Sequence, residues 1–205
     1  MRGPTGLMPA LVLGLVEAIS ARTPSLATPI TYTEIATGAS GFLGATPFTS
    51  ATVTLTMNND TTNVTNPSTK IFDNVQQTSQ PLMLTISGIG STTFTDMTQA
   101  AVNQSVPDAG FGDITTNRAI LFTKNAAFST YDLKSAIASV SGTAIINSVP
   151  PLSYQTVGGV AFTLSSVTSV NFAATTSAAV PEPTSLILLG TGLVGFGLIR
   201  RRKKS

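Results

Sequence analysis

The sequence predicts an all-β fold, an antiparallel β-sandwich ectodomain, held between an N-terminal signal-like helix and a C-terminal single transmembrane helix. Three observations predict it. Apolar and polar residues alternate with period two through the middle of the chain, as in Thr52-Val53-Thr54-Leu55-Thr56-Met57, which puts Val53, Leu55 and Met57 on one face and threonines on the other. Clusters of Gly, Pro, Asn and Ser separate these runs. Near the end, an uncharged stretch from Thr184 to Ile199 runs into five consecutive cations, Arg200 to Lys204.

In chain order, residues 1–27 have the outline of a secretory signal peptide: one cation at Arg2, an apolar stretch from Leu7 to Val16, then small residues. Pro9 and Glu17 make it an irregular one, and cleavage fits after Ala21 or after Ala27, with Ser25 and Ala27 favouring the second. The alternative is a buried helix of the mature domain. Residues 28–173 are the expected ectodomain. Leu82, Leu84 and Ile86 alternate, as do Val160, Phe162 and Leu164, while Ile30 to Ile35, Arg118 to Phe122, Ala144 to Ile146 and Val167 to Phe172 are β-rich with less regular alternation.

Gly38 to Gly44, Asn63 to Thr69, Gly88 to Ser91, Pro107 to Gly112, Ser148 to Pro151 and Gly158-Gly159 read as turns, and Asn58 to Asn63 as a polar loop. Leu133, Ile137 and Val140 fall at helical spacing behind Thr130 or Asp132 as a cap, so a short helix is expected over Tyr131 to Val140. Small residues and two prolines make 174–183 a linker, with the change of character beginning at Ala173.

The final segments read as a membrane address. As a helix, 184–199 reaches about 24 Å at about 1.5 Å per residue, short of a hydrocarbon core of about 30 Å. The long stems of the basic residues in 200–205 can snorkel across part of the shortfall. Arg200, Arg201, Arg202, Lys203 and Lys204 resist translocation, which keeps them cytoplasmic and puts the ectodomain outside. Gly190-Thr191-Gly192-Leu193-Val194-Gly195 matches a dinucleotide fingerprint on paper. That motif needs a second strand and an acidic residue about 20 positions on, and no acidic residue follows Gly195.

Between Thr28 and Ala179 four cations, Lys70, Arg118, Lys124 and Lys134, face seven carboxylates, Glu34, Asp60, Asp73, Asp96, Asp108, Asp113 and Asp132, for a net charge of minus three. The basic character of the whole chain thus belongs to its tail, and no nucleic-acid partner is expected, because phosphate neutralisation needs a basic surface. The chain has no cysteine and no histidine. Disulfides, thiolate metal sites, histidine triads and zinc-protease motifs are excluded, and no cofactor is expected.

Asp108 and Asp113, on either side of a Gly-rich turn, are the nearest pair of acids for glycosidase chemistry. The simpler reading has them capping turns. A calcium site from Asp108 and Asp113, or from Asn58 and Asp60, lacks an Asp-x-Asp-x-Asp-Gly pattern. With no Trp, and only Tyr32, Tyr131 and Tyr154 as tyrosines, the usual sugar-stacking platforms are scarce, and most of the ten phenylalanines are expected in the core.

Val180-Pro181-Glu182-Pro183-Thr184-Ser185, the short Gly-rich apolar run and the basic terminus together resemble the PEP-CTERM sorting signal of Gram-negative bacteria. The resemblance implies that an exosortase, a membrane-embedded transpeptidase-like enzyme, recognises Pro181, Glu182 and Pro183, with Val180 and Ser185 in the flanks of the motif, and removes the tail. These are a substrate's residues. Gly110-Phe111-Gly112 and the run Phe128 to Leu133 are also similar to ectodomains found with this tail.

The resemblance further implies secretion machinery and the inner membrane as partners. It makes the chain an anchored precursor with its ectodomain in the periplasm, destined for the cell surface or extracellular matrix. A structural or adhesive, non-enzymatic role is expected there. The alternatives are an exopolysaccharide-binding module, suggested by the family's association with exopolysaccharide producers, and a carboxylate-based hydrolase.

Overall fold

The fold is seen in a computed structural model that describes residues 28–66, 68–73, 81–116, 118–147 and 152–177. The expected signal segment, the Pro-Glu-Pro motif, the apolar run and the basic terminus lie outside the described residues. Among those described, no helix is long and apolar enough to cross a membrane.

Two strands of fifteen residues each, β1 (Pro29–Leu43) and β2 (Thr46–Asp60), form the hairpin on which the rest is hung. On β1 the inward set is Ile30, Tyr32, Glu34 and Ala36; on β2 it is Val53, Leu55 and Met57, with threonines between them turned outward as the alternation requires. The pairing of β1 with β2 slips between Ala36 and Ala39 and again between Ala39 and Gly41. Gly38 takes a φ of 62° there, and a side chain on it would collide with Thr168. These irregularities re-aim β1. Its first half, Ile30 to Thr37, pairs with β13 (Ser169–Thr176), and its second half, Ser40 to Leu43, pairs with β12 (Val160–Ser166).

The remaining strands are β3 (Val64–Thr65), β4 (Lys70–Asp73), β5 (Met83–Ile86), β6 (Gly90–Thr93), β7 (Thr98–Asn103), β8 (Asp108–Asp113), β9 (Arg118–Lys124), β10 (Ile137–Ile145) and β11 (Tyr154–Thr156). All pairings are antiparallel, in the order β3-β4-β7-β8-β9-β10-β13-β1-β2-β5-β6, with β12 beside β1 and β11 beside β12. Past β6 the sheet meets its own far branch, because Phe94 bridges to Thr156 and Thr95 N–H donates to the Gln155 carbonyl at 2.8 Å.

The all-β, antiparallel part of the expectation holds: the pairings run through one curled antiparallel sheet, in which β10 pairs with β13 through its first part and with β9 through its last. Alternation told which face is buried. It did not say that fifteen-residue strands would serve both halves of the curl.

Several local expectations change for the same reason, that pairing overrides local pattern. No helix forms over Tyr131 to Val140. A 3-10 turn, Ala126–Thr130, is capped by Asn125, whose Oδ1 accepts from Ala127 N–H at 2.9 Å, and β10 begins at Ile137. Asp132 does act as a cap, but of a turn: its Oδ1 accepts from Lys134 N–H at 2.9 Å and Ser135 N–H at 3.2 Å, with Leu133 left-handed at φ 58°. Asn58, Asn59 and Asp60 belong to β2, so only Thr61–Asn63 of the expected loop is a turn.

Most of Pro107 to Gly112 is β8, and most of Gly38 to Gly44 is β1. The linker starts later than Ala173: β13 continues to Thr176, Ala174 points into the core, and Ser177 N–H donates to the Pro29 carbonyl.

Candidate functional site

None of the residues singled out for sorting, Val180, Pro181, Glu182, Pro183, Ser185 and Arg200 to Lys204, falls within the described residues. Two features of the folded part have chemical character: a recess on the outer side of the sheet and a set of buried carboxyls beneath it.

The recess lies across β4, β7, β8, β9 and β10 and holds about 170 Å³. Gln99, Ala101 and Asn103 line it and alternate along β7 with the core residues Ala100 and Val102, so it opens on the face away from the aromatic core. Its apolar surface comes from Phe72, Phe122, Ala119 and Ile145, all half-buried, with Ala101 and Val102 buried beside them. At Gly112 on β8 a β-carbon would press on the Arg118 carbonyl at 3.1 Å and lie in ordinary contact with the Phe122 ring at 3.6 Å. Around this floor stand Lys70 and Arg118, Asp108 and Asp113, Gln99 and Asn103.

Asn103 lends its side-chain carbonyl to the next turn, accepting from Ser105 Oγ at 2.7 Å and Ser105 N–H at 3.2 Å, so its NH₂ is the end not committed there. Asp113 is taken up likewise, with Oδ1 accepting from Thr115 N–H at 2.7 Å and Oδ2 from Thr116 Oγ1 at 2.9 Å.

Asp108 and Asp113 thus do not flank a turn. They sit at opposite ends of β8, five residue steps apart, about 17 Å at about 3.4 Å per step. The carboxylates of a glycosidase stand roughly 5 to 10 Å apart, so this pair does not meet that geometry. Asp60 caps the Thr61–Asn63 turn, its Oδ1 accepting from Thr62 N–H at 2.8 Å, and Asn58 Oδ1 accepts from Thr31 Oγ1 at 2.7 Å. Among the described residues no three acidic side chains converge to hold a metal ion. Lys124 and Lys134 are exposed.

Beneath the sheet, Glu34 is fully buried in the middle of β1. Its Oε1 accepts from Thr123 Oγ1 at 2.9 Å, while Oε2 has no partner and faces Gly110. Burial pushes its carboxyl well above the usual range; Thr123 and the Phe111 backbone oppose the shift, and Asp108 adds to it. Asp73 is pushed up to about 6, again by burial first.

Its partners stand on β1 and β2. The Tyr32 hydroxyl lies 2.7 Å from Asp73 Oδ2 and 2.6 Å from the Leu133 carbonyl, and Asn59 Nδ2 donates to Asp73 Oδ1. One phenolic proton cannot fully serve two acceptors. The hydroxyl is shared between the two, and the hydrogen bonds that Tyr32 and Asn59 donate to Asp73 oppose its upward shift. Burial, and then Asp73, push the Tyr32 hydroxyl up as well. Asp108 is raised to about 6 by burial, against the opposing pull of Lys124 and Lys70.

Sequence reasoning missed both features. Nothing in the sequence sets Phe72 and Phe122 apart from the other phenylalanines, and Glu34 enters only as one of seven carboxylates. Extending the inward parity of Ile30 and Tyr32 by two positions was the one available sign that Glu34 points in.

No curated protein and no solved structure matches the chain. One family does, over the tail alone, at residues 179–203, and its description is the PEP-CTERM protein-sorting motif. That motif implies export, a membrane-anchored precursor and processing by an exosortase. The chain therefore carries a PEP-CTERM protein-sorting motif at residues 179–203, which supports an exosortase substrate, after a curled all-β region.

Proposed function

We propose that this is a non-enzymatic protein that the sorting tail delivers to the cell surface or the extracellular matrix, where the β domain has a structural or adhesive role. The carrying observation is the match at 179–203, in which Pro181-Glu182-Pro183 precedes an uncharged run and a block of cations. In this reading secretion machinery exports the chain, 184–199 holds it in the inner membrane with the β domain in the periplasm, and the exosortase cuts near Pro183.

The test is intact mass and location in the native host, with and without the exosortase gene, beside Glu182→Ala. Wild type should lose its basic terminus and leave the membrane, while the two controls keep Arg200 to Ser205 and stay there. Full-length, membrane-bound protein in all three would sink the processing step.

A second reading, an exopolysaccharide-binding module, is favoured by the recess, where two half-buried phenylalanines sit among hydrogen-bonding side chains. The separation of Asp108 from Asp113 counts against the hydrolase alternative.

A further inference from the structure

The recess has a chemistry that narrows its occupant. Its floor is aromatic and aliphatic, from Phe72, Phe122 and Ile145. Its rim carries two cations and two carboxylates, so the charges balance and neither a polyanion nor a polycation is favoured. The rim also mixes donors with acceptors: Arg118 and Lys70 only donate, Asp108 accepts when ionised, and Gln99 offers both an NH₂ and a carbonyl.

At about 170 Å³ the space is below the roughly 300 to 1,000 Å³ of sites for drug-sized ligands. It admits one ring and not an extended molecule. A ring with an apolar C–H face and an edge of hydroxyls, each both donor and acceptor, fits an aromatic floor and a mixed rim of balanced charge. A hydrocarbon would strand the rim groups without partners.

We propose that this recess is a binding subsite for one neutral sugar ring, stacked on Phe122 and Phe72, with Asn103, Gln99 and Arg118 holding its hydroxyl edge. A single ring held this way binds in the millimolar range, on the order of what twelve heavy atoms deliver. A glycan of many such rings would gain by repeated engagement of many copies on a surface. The proposal deepens the polysaccharide-binding reading and needs nothing from the tail beyond delivery.

The test uses the full chain in a detergent without sugar headgroups. Methyl glucoside, methyl galactoside and methyl mannoside are titrated by saturation-transfer NMR, with polygalacturonate as the anionic comparison. Wild type should bind at least one of the neutral glycosides. Phe122→Ala should weaken it about tenfold, the scale of one lost aromatic contact.

Arg118→Ala, a change at an exposed rim position, should weaken binding while leaving the melting temperature unchanged, which covers the case of Phe122→Ala failing to fold. Phe42→Ala, at an exposed phenylalanine outside the recess lining, should bind as wild type does. Absence of binding to all three glycosides, binding of polygalacturonate alone, or undiminished binding in Arg118→Ala would each overturn the subsite. Because the tail is tested in the host by mass, failure here and failure of sorting are read from different experiments.

Discussion

Lowering the pH from 8 to 5 should raise the melting temperature of this protein, and Glu34→Gln should remove much of that gain. Three buried carboxyls, Glu34, Asp73 and Asp108, are all shifted upward, so at intermediate pH the folded chain holds protons that the unfolded chain has released. A group of this kind contributes stability that is complete below its unfolded value and is lost as pH rises through its folded value. For Asp73 and Asp108 the window therefore runs from about 4 to about 6, and for Glu34 it extends higher.

At about 1.4 kcal/mol per pKa unit, Asp73, moved from 3.8 to about 6, contributes up to about 3 kcal/mol. Between pH 8 and pH 5 only about one unit of that is gained, about 1.4 kcal/mol, so at about 2–4 °C per kcal/mol Asp73 alone should raise the melting temperature by roughly 3 to 6 °C, with Glu34 and Asp108 adding to it. Asp132, held below its usual value by Lys134 and Ser135 donors against the effect of burial, loses its contribution only below its ordinary value of 3.8 and so does not enter this range. Glutamine keeps the shape of the neutral acid and has no proton to lose. Melting curves of wild type and Glu34→Gln at pH 5, 6, 7 and 8 decide the matter: the variant should flatten the profile. Parallel profiles would mean that Glu34 stays ionised in the fold.

Phe172→Ala should cost about 3 to 5 kcal/mol, enough to unfold much of the population at 37 °C. Phe172 on β13 is fully buried and meets four rings: Tyr32 at 6.3 Å, Phe111 at 6.4 Å, Phe128 at 5.8 Å and Tyr131 at 6.0 Å between centroids. Those rings come from β1, β8 and the Ala126–Thr130 turn with its cap, so one side chain ties together elements distant in sequence. Removing it strips area from all four and leaves a cavity that the long strands cannot collapse to fill. Chemical denaturation beside Phe42→Ala, expected within about 0.5 kcal/mol of wild type as a surface change, measures the difference. A loss below about 1 kcal/mol would show that the aromatic cluster is not the centre of the core.

Where burial is one-sided, the fold was legible. Val53, Leu55 and Met57, and Leu82, Leu84 and Ile86, are all inward, as their alternation says. Strands whose residues carry no alternating apolar signal were not legible. β7, Thr98–Asn103, is polar and small, and β8, Asp108–Asp113, holds two glycines. Each is a strand because its neighbours pair with it on both sides, and that information is spread over β4 and β9. The recess was hidden for a related reason, since its lining is gathered from β4, β7, β8, β9 and β10, which only the pairing brings together. The sorting tail was legible because a linear signal must be read by its partner without help from a fold.

The curl has a consequence for how copies of this protein can associate. A sheet grows by templating at an unpaired edge, and long, flat, apolar edges are the dangerous ones. Here the outermost strands are short: β3 has two residues, β6 four and β11 three, and the last two approach each other through Phe94 and Thr156. Chains crowded at high density on a cell surface are thereby denied strand-to-strand polymerisation. A coat built from them would be held by side-chain patches or by glycan shared between copies, and would come apart under conditions that leave each β domain folded.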